Sequence, residues 1–332
     1  MPSPSLTGHY QTMNYACAAI RPDFEALNRL VIAQLHSDVG LVENIGQYIV
    51  EGGGKRLRPL LCLLCARALG YAGERHIELA TVIEFLHTAT LLHDDVVDVS
   101  ALRRGRPTAN AHFGNASTVL VGDFIYSRAF QLLVGLGDIE LLRLIADTTN
   151  QIAEGEVEQL SRAGDPATTE EQYIEVIRKK TAVLFAAACK GAALLAGADA
   201  QRCEAMGRFG LNLGLAFQII DDVLDYEGDP ELMGKNLGDD LAEGKSTLPL
   251  IRVLATGSAE QAAAVRAAIL QKDVSALPEV VRIVRETGAL DYARDRAEQF
   301  RDLALESLAG LDGGVFGANL REIVGRSAKR SA

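Results

Sequence analysis

A chain of 332 residues with 48% hydrophobic and only 23% charged residues can bury a large core. A net charge of −11 excludes nucleic acid as the main partner, and five cysteines without framework spacing exclude a disulfide scaffold. Aromatics are scarce, Trp is absent, and Ala and Leu abound, so the expected class is all-α.

Residues 1–22 carry no basic segment leading into an apolar one. They are read as an irregular N-terminal extension, and residues 23–332 as one helical domain. From Asp23 the apolar periodicity is helical, broken at Gly52-Gly53-Gly54, Gly70 to Gly73, Arg103 to Pro107, Gly135-Leu136-Gly137, Gly164-Asp165-Pro166, Gly228 to Gly244 and Gly257-Ser258. These breaks leave about ten helices with short connections and no linker between halves. The first glycine run feeds Lys55-Arg56-Leu57-Arg58-Pro59. Glycines beside a helix whose first turn begins at Pro59 make an anion cradle, with Lys55 and Arg58 supplying charge. The C-x-x-C pair Cys62 and Cys65 sits in the apolar run Leu60 to Ala66, where cysteine behaves as a small buried hydrophobe.

Next comes Leu91-Leu92-His93-Asp94-Asp95-Val96-Val97-Asp98, and it has an echo in Gln218-Ile219-Ile220-Asp221-Asp222-Val223-Leu224-Asp225. Both are D-D-x-x-D at the end of an apolar helix. Residues four apart share a helical face, so Asp94 with Asp98, and Asp221 with Asp225, each form a two-carboxylate claw. Asp95 and Asp222 stand about 100° round in supporting positions. Like charges repel, and a helix C-terminus is already negative, so each claw calls for a cation. Mg²⁺ suits it: this ion takes few carboxylates, keeps waters and is completed by phosphate oxygens. A solvated helix end explains one such cluster but not two, and the EF-hand pattern is missing.

Basic residues accompany the claws. Arg103-Arg104-Gly105-Arg106 follows the first; Gly234-Lys235-Asn236 and Gly244-Lys245-Ser246-Thr247 follow the second. The last resembles a Walker A end, but its first glycine position is Asp239 and an acidic stretch precedes it. His87, seven residues before Asp94, lies two turns back on nearly the same face, a core histidine or a diphosphate donor. The apolar stretch Ala182 to Ala198 carries Lys190 and reads as a core or interface helix, so no transmembrane segment is expected and the localisation is cytoplasmic.

Gly-Gly-Lys-Arg-Leu-Arg-Pro at 53–59, the two aspartate motifs, Arg103-Arg104-Gly105, Lys180-Thr181, Phe217-Gln218 and Gly234 to Asp240 together resemble the trans-isoprenyl diphosphate synthase family, over residues 24 to 325. His87 to Thr90 and Gly122 to Tyr126 look most similar to its bacterial octaprenyl branch. The resemblance implies an all-α single-domain bundle around a deep central cavity, a homodimer, and about three Mg²⁺ ions when substrate is bound. The ions draw diphosphate from an allylic substrate, farnesyl or geranylgeranyl diphosphate, and isopentenyl diphosphate attacks the resulting cation. The product is a polyprenyl diphosphate destined for a membrane.

By motif position, Asp94, Asp98 and Asp221 are the implied metal ligands, supported by Asp95, Asp222 and Asp225. Lys55, Arg58, His87 and Arg104 would bind isopentenyl diphosphate. Arg103, Lys180, Thr181, Gln218, Lys235 and Lys245 would bind the allylic diphosphate, with the Thr181 and Gln218 oxygens facing the cation. Ala89 and Thr90, both small and one turn before the claw, imply an open tunnel and eight isoprene units, within six to ten. A terpene cyclase would carry a different second metal motif, and a regulatory subunit would have lost part of a claw or the Arg pair.

Overall fold

In the computed structural model, residues 17–103, 105–227 and 238–327 are described. They are helical nearly throughout, and the one sheet among them is a short antiparallel hairpin, β1 (Leu102–Arg103) and β2 (Arg106–Pro107). The chain forms two compact units that interleave along the sequence. The first takes residues up to Arg143 together with Ala188–Cys203 and Gly310–Ile323. The second takes Leu144–Ala187, Glu204–Ala309 and the chain from Val324.

The first unit holds α1 (Arg21–Gln34), α2 (Gly40–Glu51), α3 (Leu57–Ala68), α4 (Arg75–Val97), α5 (Ala109–Phe113) and α6 (Asn115–Gly135). Helix α1 starts two residues before Asp23, because Pro22 fits the first turn, where its missing N–H has no partner to lose. Helix α4 packs against α6, α3 and α1. It buries Leu79, Val82, Phe85, Leu86 and Leu92, which point in several directions, as a central helix must. Cys62 and Cys65 are fully buried in α3, and burial pushes the Cys62 thiol well above its ordinary range.

Helices α7 (Ile139–Arg162), α9 (Val183–Leu195) and α10 (Ala200–Glu227) contribute residues to both units. The second unit also holds α8 (Glu170–Ile177), α11 (Asp239–Ala242), α12 (Leu248–Thr256), α13 (Ala259–Gln271), α14 (Leu277–Glu286) and α15 (Ala289–Ser307). Capping boxes at Thr169 with Gln172 and Ser258 with Gln261 start α8 and α13. The core of this unit gathers Tyr173, Ile219, Val223, Tyr226, Leu248 and Ile283. A last helix, α16 (Gly314–Ser327), closes the described chain. No described helix is long and apolar enough to cross a membrane.

One buried ionic cluster ties three helices of the first unit. Arg67 on α3 grips Asp23 on α1 through Nε at 2.6 Å and Nη2 at 2.9 Å, and His76 Nε2 in the first turn of α4 lies 2.8 Å from the same carboxylate. Burial alone would raise the Asp23 carboxyl, but the hydrogen bonds from Arg67 and His76 outweigh it and hold the group below 3.8. Burial pushes the His76 imidazole below 6.5, against the pull of Asp23.

Both shifts act in one direction. The unfolded chain takes up protons at His76 below about pH 6.5, and at Asp23 below about pH 3.8, that the native state refuses. Unfolding free energy is therefore expected to fall as pH drops from 7 toward 5, and a His76→Gln variant to show a flatter fall in urea titrations at those pH values. Arg67→Met, which strands a half-buried carboxylate, is expected to cost about 3 kcal/mol at pH 7.

Candidate active site

The aspartate motifs occupy the C-terminal ends of α4 and α10, one in each unit, and each is built differently. Helix α4 runs from Arg75 and ends at Val97 with Asp98 as its cap. Asp98 N–H donates to the Asp94 carbonyl at 2.8 Å, so these two residues stack one turn apart, both partly exposed. Asp95 turns inward, 3% exposed, and its Oδ1 accepts from Arg103 Nε at 2.8 Å and Nη2 at 2.7 Å. Arg103, expected on a diphosphate, is thus engaged by a carboxylate of the motif itself. The Asp95 carbonyl accepts from Asn110 Nδ2 at 3.0 Å and from Ser100 N–H at 3.0 Å.

That last bond, with Val99 N–H to the Val96 carbonyl at 3.4 Å, is a Schellman closure. The residue forced into the left-handed conformation is Val99, at φ 52°, where glycine is the usual occupant. The following chain holds it there: Thr108 Oγ1 donates to the Ser100 carbonyl at 2.7 Å and Thr108 N–H to Ala101 at 3.0 Å. His93, inside the motif, reaches the Val119 carbonyl of α6 at 3.3 Å and Asp123 at 3.3 Å. A Cβ at residue 122 would lie 2.4 Å from the His93 ring, so only Gly122 permits that contact.

The glycine turn between α2 and α3 uses φ of 65° at Gly53 and 154° at Gly54. Helix α3 then starts at Leu57, two residues earlier than Pro59, because Arg56 in a left-handed conformation redirects the chain there. Arg56 points inward, hydrogen-bonded to Asn28 and 3.6 Å from Glu84, a role the flanking Lys55 and Arg58 had hidden. Lys55 is exposed, and Arg58 Nη1 lies 3.1 Å from His87 Nε2. An open pocket has His87, Asp95 and Arg103 in its wall, with Arg56, Thr88 and Arg106, but not Lys55, Arg58, Asp94 or Asp98. Tyr48 stands at its side, donating to the Pro107 carbonyl at 2.6 Å with the Arg106 guanidinium 4.7 Å over its ring. Ala89 is fully buried, while Thr90 is half-buried and donates to the His87 carbonyl at 2.8 Å. Arg104 and Lys235 lie outside the described residues.

On α10, Asp221 is partly exposed, Asp222 is 5% exposed and Asp225 fully buried. Asp222 accepts from Tyr173 Oη at 2.6 Å and from Gln218 Nε2 at 2.8 Å. Burial, then the charge of Asp240, pushes its carboxyl up to about 8; the Tyr173 and Gln218 hydrogen bonds oppose this and Asp221 adds to it. Asp225 Oδ2 accepts from the Asp240 N–H at 3.3 Å. Lys180 and Thr181 sit in a π-helical turn, Arg178–Ala182, between α8 and α9. Thr181 Oγ1 donates to Gln218 Oε1 at 2.9 Å, Lys180 pairs with Glu156 at 2.7 Å, and Lys245 with Glu243 and with Asp240 at 3.6 Å. A second cavity is lined by Lys180, Thr181, Gln218, Asp222 and Lys245, with Tyr173 and Asp240.

Glycines set how closely the segments around this cavity approach one another. A Cβ would come within 2.3 Å of the Phe185 carbonyl at Gly210, within 2.7 Å of Ala182 at Gly214, and within 2.8 Å of Lys179 at Gly155. Gly210, Gly214, Gln218 and Asp222 recur every four residues along α10, a stripe visible in the sequence but not singled out there. Tyr173 was missed as well, standing 49 residues from Asp222.

The donor set fits a hard divalent cation. Asp94, Asp98 and Asp221 present partly exposed carboxylates at the negative ends of long helices. No three His, Cys, Asp or Glu side chains among the described residues converge into a closed cage. A hard cation held by one or two carboxylates leaves the rest of its shell to water and phosphate.

The sequence profile of the polyprenyl synthetase family matches residues 39–286, and the chain belongs to that family. It is 52% identical to the octaprenyl diphosphate synthase of Haemophilus influenzae over 288 residues, 86% of this chain and 88% of that protein. It is 49% identical to a geranyl-diphosphate-specific all-trans-nonaprenyl-diphosphate synthase of Rhodobacter capsulatus over 292 residues, 88% of this chain and 90% of that protein. The crystal structure of a Caulobacter crescentus polyprenyl synthase complexed with calcium and isoprenyl diphosphate superposes with a TM-score of 0.93 at 40% identity, covering 97% of this chain and 99% of that one.

The strained end of α4 can be measured. Val99→Gly is expected to stabilise the metal-free protein by about 1 kcal/mol, the left-handed penalty of a β-branched residue less the added freedom of glycine in the unfolded chain. Urea denaturation checks it; an unchanged or lowered midpoint would show that Val99 carries no strain.

Proposed function

We propose that this chain is a long-chain trans-polyprenyl diphosphate synthase that adds isopentenyl diphosphate to an allylic diphosphate and makes the octaprenyl product. The observation that carries the reading is the α10 cavity, where Lys180, Lys245 and the oxygens of Thr181, Gln218 and Asp222 line one void. Cations to hold a leaving diphosphate stand beside acceptor oxygens suited to an electron-poor carbon; the proton lost after isopentenyl attack goes to the released diphosphate, so no side chain need act as nucleophile or base. The cavity by α4 offers Arg56, His87 and Arg106 to a second diphosphate, with Lys55 and Arg58 nearby at the glycine turn. Arg104 and Lys235 are assigned to the isopentenyl and allylic diphosphates on motif position.

Asp94, Asp98 and Asp221 would hold Mg²⁺, about three ions with substrate, and the metal supplies charge stabilisation for the departing diphosphate. Asp95 is tied by Arg103 and Asp222 by Tyr173 and Gln218, so these hold the ends of the two helices rather than face the ion. The apolar α4 wall keeps water from the cation. The allylic primer is farnesyl or geranylgeranyl diphosphate.

Eight units are favoured by the octaprenyl relative and by small Ala89 and Thr90; the Rhodobacter relative makes nine units the second reading. Exposed Leu120, Tyr126 and Val134 on α6 support a homodimer. The cytoplasm is the proposed location. Interleaving of the two units supports reading 23–332 as one synthase domain, with 1–22 outside it.

Purified protein given labelled isopentenyl diphosphate, farnesyl diphosphate and Mg²⁺ is expected to release mainly octaprenyl diphosphate by mass spectrometry; absence of incorporation would overturn the reading. Asp94→Asn or Asp221→Asn should lower turnover roughly 10³-fold with melting temperature unchanged or raised, since a repelling charge is removed. Near-normal activity in either variant, or in excess chelator, would sink the metal assignment. Ala89→Tyr should shorten the dominant product to farnesyl or geranylgeranyl size; a folded variant with unchanged product length would put the gate elsewhere.

A further inference from the structure

The hydrogen bonds in the α10 cavity run one way, from Tyr173 and Gln218 to Asp222 and from Thr181 to Gln218. Tyr173 Oη, 2.6 Å from Asp222 Oδ2, is the donor of that pair. Asp222 Oδ1 accepts from Gln218 Nε2 at 2.8 Å. Gln218 Oε1 is thereby turned to Thr181 Oγ1, 2.9 Å away, and an amide oxygen only accepts. The single proton of the Thr181 hydroxyl is consumed. Lone pairs are all that this hydroxyl has left to offer the cavity that it lines.

We propose that Tyr173 is a positioning residue that, through Asp222 and Gln218, fixes the polarity of the Thr181 hydroxyl as an acceptor toward the substrate. An oxygen without a proton to give repels phosphate oxygens and attracts an electron-poor carbon. Thr181 therefore belongs with the reacting carbon rather than with the diphosphate ligands beside which motif position had also put it. The π-helical turn contributes, because threonine in an ordinary helix donates back to a carbonyl of its own preceding turn, whereas here the proton goes to another helix. Tyr173 is 5% exposed and sits in the core cluster. It holds Oδ2 so that Oδ1 faces Gln218; without the phenol, the carboxylate swings about its own axis and the amide is free to turn.

This inference rests on the synthase reading above, and its test separates the two. Initial rates are measured for the wild type, Tyr173→Phe, Thr181→Val, Thr181→Ser and the double variant Tyr173→Phe/Thr181→Val, varying each substrate in turn. Tyr173→Phe is expected to lower kcat between about 10- and 100-fold while KM for both diphosphates stays within about two-fold, since the contact matters only as charge develops. The double variant should turn over no more slowly than Thr181→Val alone, because the phenol acts only through that hydroxyl. Thr181→Ser keeps the hydroxyl and should stay sensitive to Tyr173→Phe. Full additivity in the double variant, an unchanged kcat in Tyr173→Phe, or a raised allylic KM alone would each overturn the relay and leave the synthase reading intact. A wild type without turnover removes both. If Tyr173→Phe melts below the usual assay temperature, the whole cycle is run at a lower temperature where it is folded, with the same expectations.

Discussion

Everything at this site follows from crowding negative charge at the negative ends of two long helices. A folded chain tolerates that only by treating the carboxylates unequally. On α4, Asp95 is turned inside and neutralised by Arg103, while Asp94 and Asp98 keep partly exposed oxygens. On α10, Asp222 is held by a phenol and an amide, and Asp225 accepts from a backbone N–H of α11. The second aspartate of each motif is held by different means, an arginine for Asp95 and a phenol and an amide for Asp222. Neutral donors are the weaker remedy, and the displaced titration of Asp222 is its visible cost.

Backbone proximity is the second requirement. Thr181 meets Gln218 because α10 lies against α9 and the π-helical turn with glycine where any side chain would collide. The interior of the second unit is thus set by what is absent at 155, 210 and 214 as much as by the apolar residues around it. Gly122 does the same for the first unit, letting His93 lean on α6 and fixing the rotation of the helix that ends in the claw.

How far the site could be read from the sequence depended on the range of the interactions involved. The stacking of Asp94 and Asp98 was legible because i, i+4 geometry is local, and so was the turn at Gly53 and Gly54, since glycine runs announce positive φ; Asp225, expected to form a claw with Asp221, is instead fully buried and accepts from the Asp240 N–H. Arg56 was not, because its inward turn comes from a left-handed backbone angle that nothing adjacent requires. Val99 broke the rule that glycine closes a Schellman helix end; hydrogen bonds from Thr108, nine residues on, override the local preference. Arg103 was assigned by its company in the motif, yet its partner is the aspartate eight residues before it. Tyr173 had no signature at all, since a core tyrosine and a positioning tyrosine look alike until the partner across the fold is known.

The π-helical turn at Arg178–Ala182 has a consequence for how this segment tolerates change in length. Such a turn holds one residue more than the helix around it needs. A deletion there could be absorbed by reverting to ordinary helix, with the flanking apolar faces of α8 and α9 kept in register. The side chains at the turn would not be kept: Lys180 and Thr181 would rotate by about 100°, one leaving Glu156 and the other Gln218. Length variation in this stretch would therefore separate folding from chemistry within a single codon, leaving an intact helical scaffold with its cavity facing the wrong atoms.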